Sequence, residues 1–175
     1  MKLAKIFSLI ILILAGVYLA GPNPGTPNYN PTLPNVPAIV SDLENYVSAN
    51  ESKRKLKPDN DARIIWADTA LKQQTAYSIV YLHGFSASQE EGYPVHQNIA
   101  KKFGCNLYLS RLAEHGIDTT DQLLNLTADN YWESAKEAYA IGKRLGKKVI
   151  LMGTSTGASN ALHLASVYQI GRAHV

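Results

Sequence analysis

The sequence has a single cysteine, Cys105, in 175 residues, so an internal disulfide framework is excluded. That thiol heads the apolar run Cys105-Asn106-Leu107-Tyr108-Leu109, where a buried structural cysteine is expected. It lies too far from the N-terminus for lipoprotein-type acylation. There is no block of like charge either. Lys and Arg number 17 against 14 Asp and Glu, scattered rather than clustered, and no nucleic-acid motif accompanies them, so a nucleic-acid partner is not expected. No His/Cys/Asp cluster has metal-ligand spacing and no Gly-rich loop suits a phosphate, so neither a metal nor an organic cofactor is implied.

What the sequence does have is a hydrophobic content of 46% with 18% charged residues, enough for one globular domain with a real core. Before it, Lys2 and Lys5 precede an uncharged, apolar run from Ile6 to Ala20 that contains Ser8. Positive residues followed by such a run describe a secretory signal or a membrane anchor over residues 1–20. With Ala20 at the −1 position of a cleavage site, the bulky Tyr18 falls at −3, which favours an uncleaved anchor. Residues after Gly21 are then expected outside the cytoplasm. Residues 21–37 carry six prolines, Pro22, Pro24, Pro27, Pro31, Pro34 and Pro37, and read as an extended linker. Asn50-Glu51-Ser52 and Asn125-Leu126-Thr127 match the glycosylation sequon.

From residue 38 the pattern alternates. An amphipathic helix is predicted over Ile39 to Val47, strands over Ala62 to Ala67 and Tyr77 to Leu82, and a helix over Tyr93 to Phe103 stopped by Gly104. A strand from Asn106 to Leu109, a helix from Ala128 to Leu145 ending at Gly146, a strand from Lys148 to Met152 and a helix from Gly157 to Tyr168 follow. This order predicts an α/β fold, a mostly parallel sheet with flanking helices preceded by an N-terminal hydrophobic helix. Ligands of such sheets bind beyond the carboxyl ends of the strands, which directs attention to the loops after Leu82, Leu109 and Met152.

The loop after Met152 reads Gly153-Thr154-Ser155-Thr156-Gly157-Ala158, a G-x-S-x-G turn between a buried strand and a helix. A chain reversing this sharply strains the central residue and brings the flanking positions into collision, which glycines at 153 and 157 relieve. Ser155 then stands at the tip, at the positive end of a helix dipole, as a nucleophile should. The loop after Leu82 reads His83-Gly84-Phe85-Ser86. Acyl transfer needs two backbone N–H donors for the developing oxyanion; Thr156 and Phe85 are placed to supply them, with Gly84 allowing close approach. His83 is expected to pin the loop by hydrogen bonding, not to act as base.

His83-Gly84-Phe85 after one strand and Gly153 to Gly157 after a later one resemble the α/β-hydrolase superfamily, in its esterase, monoacylglycerol-lipase and serine-aminopeptidase-like branch. Arg111-Leu112-Ala113-Glu114-His115-Gly116 is similar to that branch's element ending in Gly-His-Gly, with Glu114 in place of the first glycine, so His115 is expected to be structural or cleft-lining. The resemblance covers roughly Arg63 to Val167. It implies a serine hydrolase acting on a small acyl ester without cofactors, and its motifs do not specify the substrate. The alternative is a non-catalytic module of the same fold that binds a ligand or partner in the cleft.

In that superfamily the acid and the base follow the serine. Here His163 lies within the next helix, where a packing role is expected. His174 lies in Ile170-Gly171-Arg172-Ala173-His174-Val175, which breaks the helical pattern. Residues 170–175 resemble the translation of a common sequencing adapter and are expected to be a non-native tail. On this reading residues 38–169 are the N-terminal part of the hydrolase domain, an incomplete sandwich lacking the Asp and His of its triad.

Overall fold

The computed structural model describes residues 2–21 and 25–171; Pro22, Pro24 and the proposed tail residues Arg172 to Val175, His174 included, lie outside the described residues. The chain is an α/β protein. Helix α1 (Lys2–Ala20) is followed by a 3-10 turn (Val40–Asp42) leading into α2 (Leu43–Glu51), then β1 (Arg63–Ile65), β2 (Thr75–Leu82), α3 (Val95–Phe103), β3 (Asn106–Leu109), α4 (Ala128–Leu145), β4 (Gly146–Gly153) and α5 (Thr156–Val167). The four strands form one mixed sheet in the order β1-β3-β2-β4. β2 is parallel to both neighbours, pairing Ile79 with Leu107 on one side and with Ile150 on the other, while β1 runs antiparallel to β3.

The central strands are apolar except at Thr75, Ser78 and Asn106, because both of their faces are covered. Successive side chains point to opposite faces, so Val80 and Leu82 of β2 join Tyr108 of β3 in a core with Leu43, Trp132, Ile141 and Leu164. Ile79 and Tyr81 join Leu107, Leu109, Ala100 and Cys105 on the other side. The first core lies under α2, α4 and α5, the second under α3. Cys105 is buried, and burial raises its thiol pKa.

Local chemistry explains the helix ends. α4 starts at a reciprocal capping box, Asn130 N–H donating to Thr127 Oγ1 at 3.1 Å and Thr127 N–H to Asn130 Oδ1 at 2.9 Å, which satisfies two otherwise orphaned donors. Gly104 ends α3 in the left-handed conformation, φ 60°, as a C-terminal glycine should. Gly146 does something else. It is extended, φ −143°, and opens β4, where a Cβ would collide with the backbone nitrogen of Ser78. Its residue type is set by strand–strand approach rather than by helix termination.

Four expectations need adjustment. The helix predicted over Ile39 to Val47 begins as a 3-10 turn and runs on to Glu51, with Ile39 outside it and exposed while Leu43 and Val47 are buried. The helix predicted from Tyr93 starts at Val95, after Pro94, and the first strand shrinks to Arg63–Ile65 because only those residues meet β3. The linker is the largest difference. From Asn28 to Val36 it lies against the domain instead of standing free. The Asn28 N–H donates to Asp129, Trp132 Nε1 donates to the Asn30 carbonyl, and Tyr168 donates to the Pro31 carbonyl. Lys136, fully buried, donates to the carbonyls of Asn30 (2.8 Å) and Thr32 (2.7 Å) and pairs with Glu133 at 2.8 Å. Prolines leave many carbonyls without neighbouring N–H groups, and Trp132 and Lys136 of α4, with Tyr168 after α5, supply donors.

In α1, Leu3–Ala20 has a mean hydropathy of 2.4 and is long and apolar enough to cross a membrane, with none of it buried.

Candidate functional site

The parallel register brings the ends of β2, β3 and β4 to one edge of the sheet. Ser110 N–H donates to the Tyr81 carbonyl at 3.2 Å and Thr154 N–H to the Leu82 carbonyl at 3.1 Å, so the three loops leave the sheet side by side. The sequence-predicted residues of the first and third loops meet there. A Cβ at Gly84 would lie 3.4 Å from Ser155 Cβ.

Ser155 has φ 50° and ψ −120°, a region that L-residues rarely occupy and that costs of order 1–3 kcal/mol. The surroundings hold it there. Gly157 N–H returns to the Thr154 carbonyl at 2.8 Å and Ser159 N–H to the Ser155 carbonyl at 3.1 Å, closing the first turn of α5. Added Cβ atoms show why the flanking glycines are needed: at Gly153 one would stand 2.6 Å from the Gly157 carbonyl carbon and 2.7 Å from Ala158 N, and at Gly157 one would run into the carbonyl oxygens of Leu82 and His83. The side chains either side of the serine are fastened, Thr154 Oγ1 to Tyr81 Oη at 2.9 Å and Thr156 Oγ1 to Tyr131 Oη at 2.9 Å. Ser155 itself is exposed at the tip.

The His83 loop is held from every side but one. Gly84 N–H donates to Glu91 Oε2 at 2.8 Å, Ser86 N–H to His115 Nε2 at 3.1 Å, and Ala87 N–H to the Gly84 carbonyl at 3.3 Å. Among the described residues, Phe85 N–H is the amide of this run left without an acceptor, and Thr156 N–H is likewise free. Each of the two loops that meet at Ser155 thus carries one amide without an acceptor among the described residues.

The histidines are committed elsewhere. His83, fully buried, accepts from Leu112 N–H through Nε2 at 3.0 Å, so its proton sits on Nδ1 and is donated to the Gly84 carbonyl at 2.9 Å. Burial pushes its pKa down to about 4, and the neighbouring His115 and Arg111 add to the shift. His115 accepts from Ser86 and donates through Nδ1 to the Ala113 carbonyl at 2.7 Å; burial lowers its pKa as well. His96 bonds the Gln89 carbonyl under Tyr81. His163 packs its ring 4.5 Å from Trp132 and 5.3 Å from Tyr29.

Three site residues have no motif to announce them. Glu91, Tyr81 and Tyr131 reach the loops through folding alone; the nearest local signal is Ser88, whose hydroxyl caps the turn carrying Glu91. Glu91 is the most consequential. A Cβ on Gly84 would lie 3.1 Å from both of its carboxylate oxygens and so crowd Glu91, while its 3.4 Å approach to Ser155 Cβ is an ordinary contact. Among the described residues no group of acidic, His or Cys side chains is arranged to hold a metal ion.

No protein-family model matches the sequence, and no curated protein matches it.

Proposed function

We propose that this chain carries the nucleophile and the oxyanion site of a serine hydrolase of the α/β-hydrolase type, cleaving a small carboxylic ester outside the cytoplasm, with α1 as its membrane anchor. The observation that carries the reading is Ser155, held strained and exposed at a strand-to-helix turn where two loops meet, each with an unpaired amide. Its hydroxyl oxygen attacks the acyl carbonyl while Phe85 N–H and Thr156 N–H receive the oxygen that becomes negative. The positive end of α5 favours the same charge. Glu91, His83 and His115 act as positioning residues by occupying the other loop amides and carbonyl. The described histidines hold other partners, so on this reading the base and its carboxylate are supplied from outside the described residues.

That same commitment of the histidines favours a second reading, a non-catalytic module that binds a ligand in the cleft. One experiment separates the two. In the full-length natural protein, a fluorophosphonate probe labels Ser155, and Ser155→Ala abolishes both labelling and ester hydrolysis. A full-length protein that takes up no label is the binding module, and label that survives Ser155→Ala removes Ser155 from the mechanism.

A further inference from the structure

A second recess lies away from Ser155, between α2 and α4. It is a cavity of about 580 Å³, of the size that holds a small ligand, with Val47, Tyr108 and Ile141 at its apolar base and Tyr46, Asn50 and Glu137 on its walls.

Its charges are nearly all spoken for. Arg111 grips Glu51 through two nitrogens at 2.7 and 2.9 Å, Lys136 holds Glu133 at 2.8 Å, and Arg54 stands 3.8 Å from Glu114. Glu137 and Lys53 are the exceptions. The contacts of Glu137 are neutral donors, Tyr46 Oη at 2.5 Å and Asn50 Nδ2 at 3.4 Å, and among the described residues no cation comes within salt-bridge distance. The nearby Lys53 is held on Asn50 Oδ1 at 2.8 Å. A half-buried carboxylate without a counter-charge is costly unless something supplies one.

A second group points to the same space. Tyr108 is 6% exposed and lines the cavity, yet its hydroxyl has no hydrogen-bond partner among the described residues. The hydroxyl oxygen keeps some solvent access on the cavity side, so it is open to a group that enters there. Burial, with the Glu137 and Glu51 carboxylates nearby, pushes its pKa well above the ordinary value, so it remains a neutral phenol. Glu137 and the lone pairs of the two tyrosine oxygens give the cavity a surplus of acceptors.

We propose that the cavity between α2 and α4 binds a small organic cation, whose ammonium group is held by Glu137 and Tyr108 above an apolar base. An ammonium offers three donors and the missing charge, and its alkyl part suits Val47 and Ile141. A hard metal ion is the poorer fit, because it takes about six to eight oxygen ligands and only one free carboxylate is present.

The test uses the whole chain in detergent micelles, with n-butylamine as probe and 1-butanol as its neutral counterpart, followed by saturation-transfer NMR titration. Saturable binding of n-butylamine is expected, weakened by about tenfold or more in Glu137→Gln and more modestly in Tyr108→Phe, with no saturable binding of 1-butanol. Glu137→Gln keeps the side-chain size and an acceptor for Tyr46, and its melting curve verifies that the fold is intact. Equal binding by the parent and Glu137→Gln, binding of 1-butanol as strong as that of the amine, or no saturable binding of the amine each overturns the proposal.

Discussion

Gly153 and Gly157 meet backbone to backbone across the serine, so that a Cβ on the first would stand 2.6 Å from the carbonyl carbon of the second. Neither can gain a methyl without opening the turn. Gly153→Ala is therefore expected to destabilise by about 2 kcal/mol, in the range of overpacked sites. Gly157→Ala is expected to cost more, because its Cβ meets two carbonyl oxygens at the end of β2. Denaturant titration of both variants measures the difference; equal stability of Gly157→Ala and the parent contradicts the packing described.

The strain at Ser155 makes a separate prediction. Glycine adopts positive φ freely, at an entropic cost smaller than the strain it relieves. Ser155→Gly should be more stable than the parent by about 1 kcal/mol, whereas Ser155→Ala, which keeps a Cβ, should leave stability nearly unchanged. Two melting curves decide it. A Ser155→Gly variant that melts below the parent would show that the serine conformation is not strained.

Acid should loosen the site before it unfolds the rest. The folded pKa of His83 lies near 4, depressed mainly by burial, against an ordinary value of 6.5. The neutral form is thus preferred in the folded state, and its contribution is fully present above about pH 6.5. That contribution is lost as pH falls toward 4. The span corresponds to roughly 3 kcal/mol, with His115 adding in the same direction. Protonation would also set a new N–H against Leu112 N–H. Denaturant midpoints between pH 7.5 and pH 4.5 should fall for the parent and flatten in His83→Gln; an unchanged slope in that variant assigns the loss to other groups.

The docked linker decides where the anchor can be removed. A variant lacking residues 1–24 should leave the membrane fraction and keep its melting temperature. One lacking residues 1–36 also loses the Asn30 and Thr32 carbonyls that satisfy buried Lys136, and should melt markedly lower. Fractionation and melting of the two variants are the measurements. Equal melting temperatures would show that the docked segment contributes nothing.

β4 sets the association behaviour. Among the described residues it pairs with β2 alone, and Ile150, which shares the face of Ile79 by register, is 40% exposed at that edge. An open, apolar strand edge invites pairing with other chains. The 175-residue chain is expected to associate and to show at most trace ester hydrolysis, and Ile150→Lys should reduce association without lowering the melting temperature. Size-exclusion profiles test this, and a monomeric parent would refute it.

How much of this was legible beforehand depends on the range of the interaction. The α4 boundaries, the Gly104 stop and the strand-to-helix placement of Ser155 follow from patterns a few residues long: helical periodicity, a left-handed glycine, an apolar run before a turn. Those signals are local, so the sequence carries them directly. The Gly146 backbone position, by contrast, is set by Ser78 on another strand, and no neighbour in sequence reports it. The same holds for Glu91 beside Gly84, for Lys136 reaching back to Asn30, and for the antiparallel placement of β1. By itself the sequence determined which segments are helix or strand and which turn can expose a serine, because sterics and hydrophobic periodicity act along the chain. Only the tertiary structure decided which amides near that serine stay free and which carboxylate lacks a partner. Hydrogen bonds and charge compensation are settled between residues that meet only after folding.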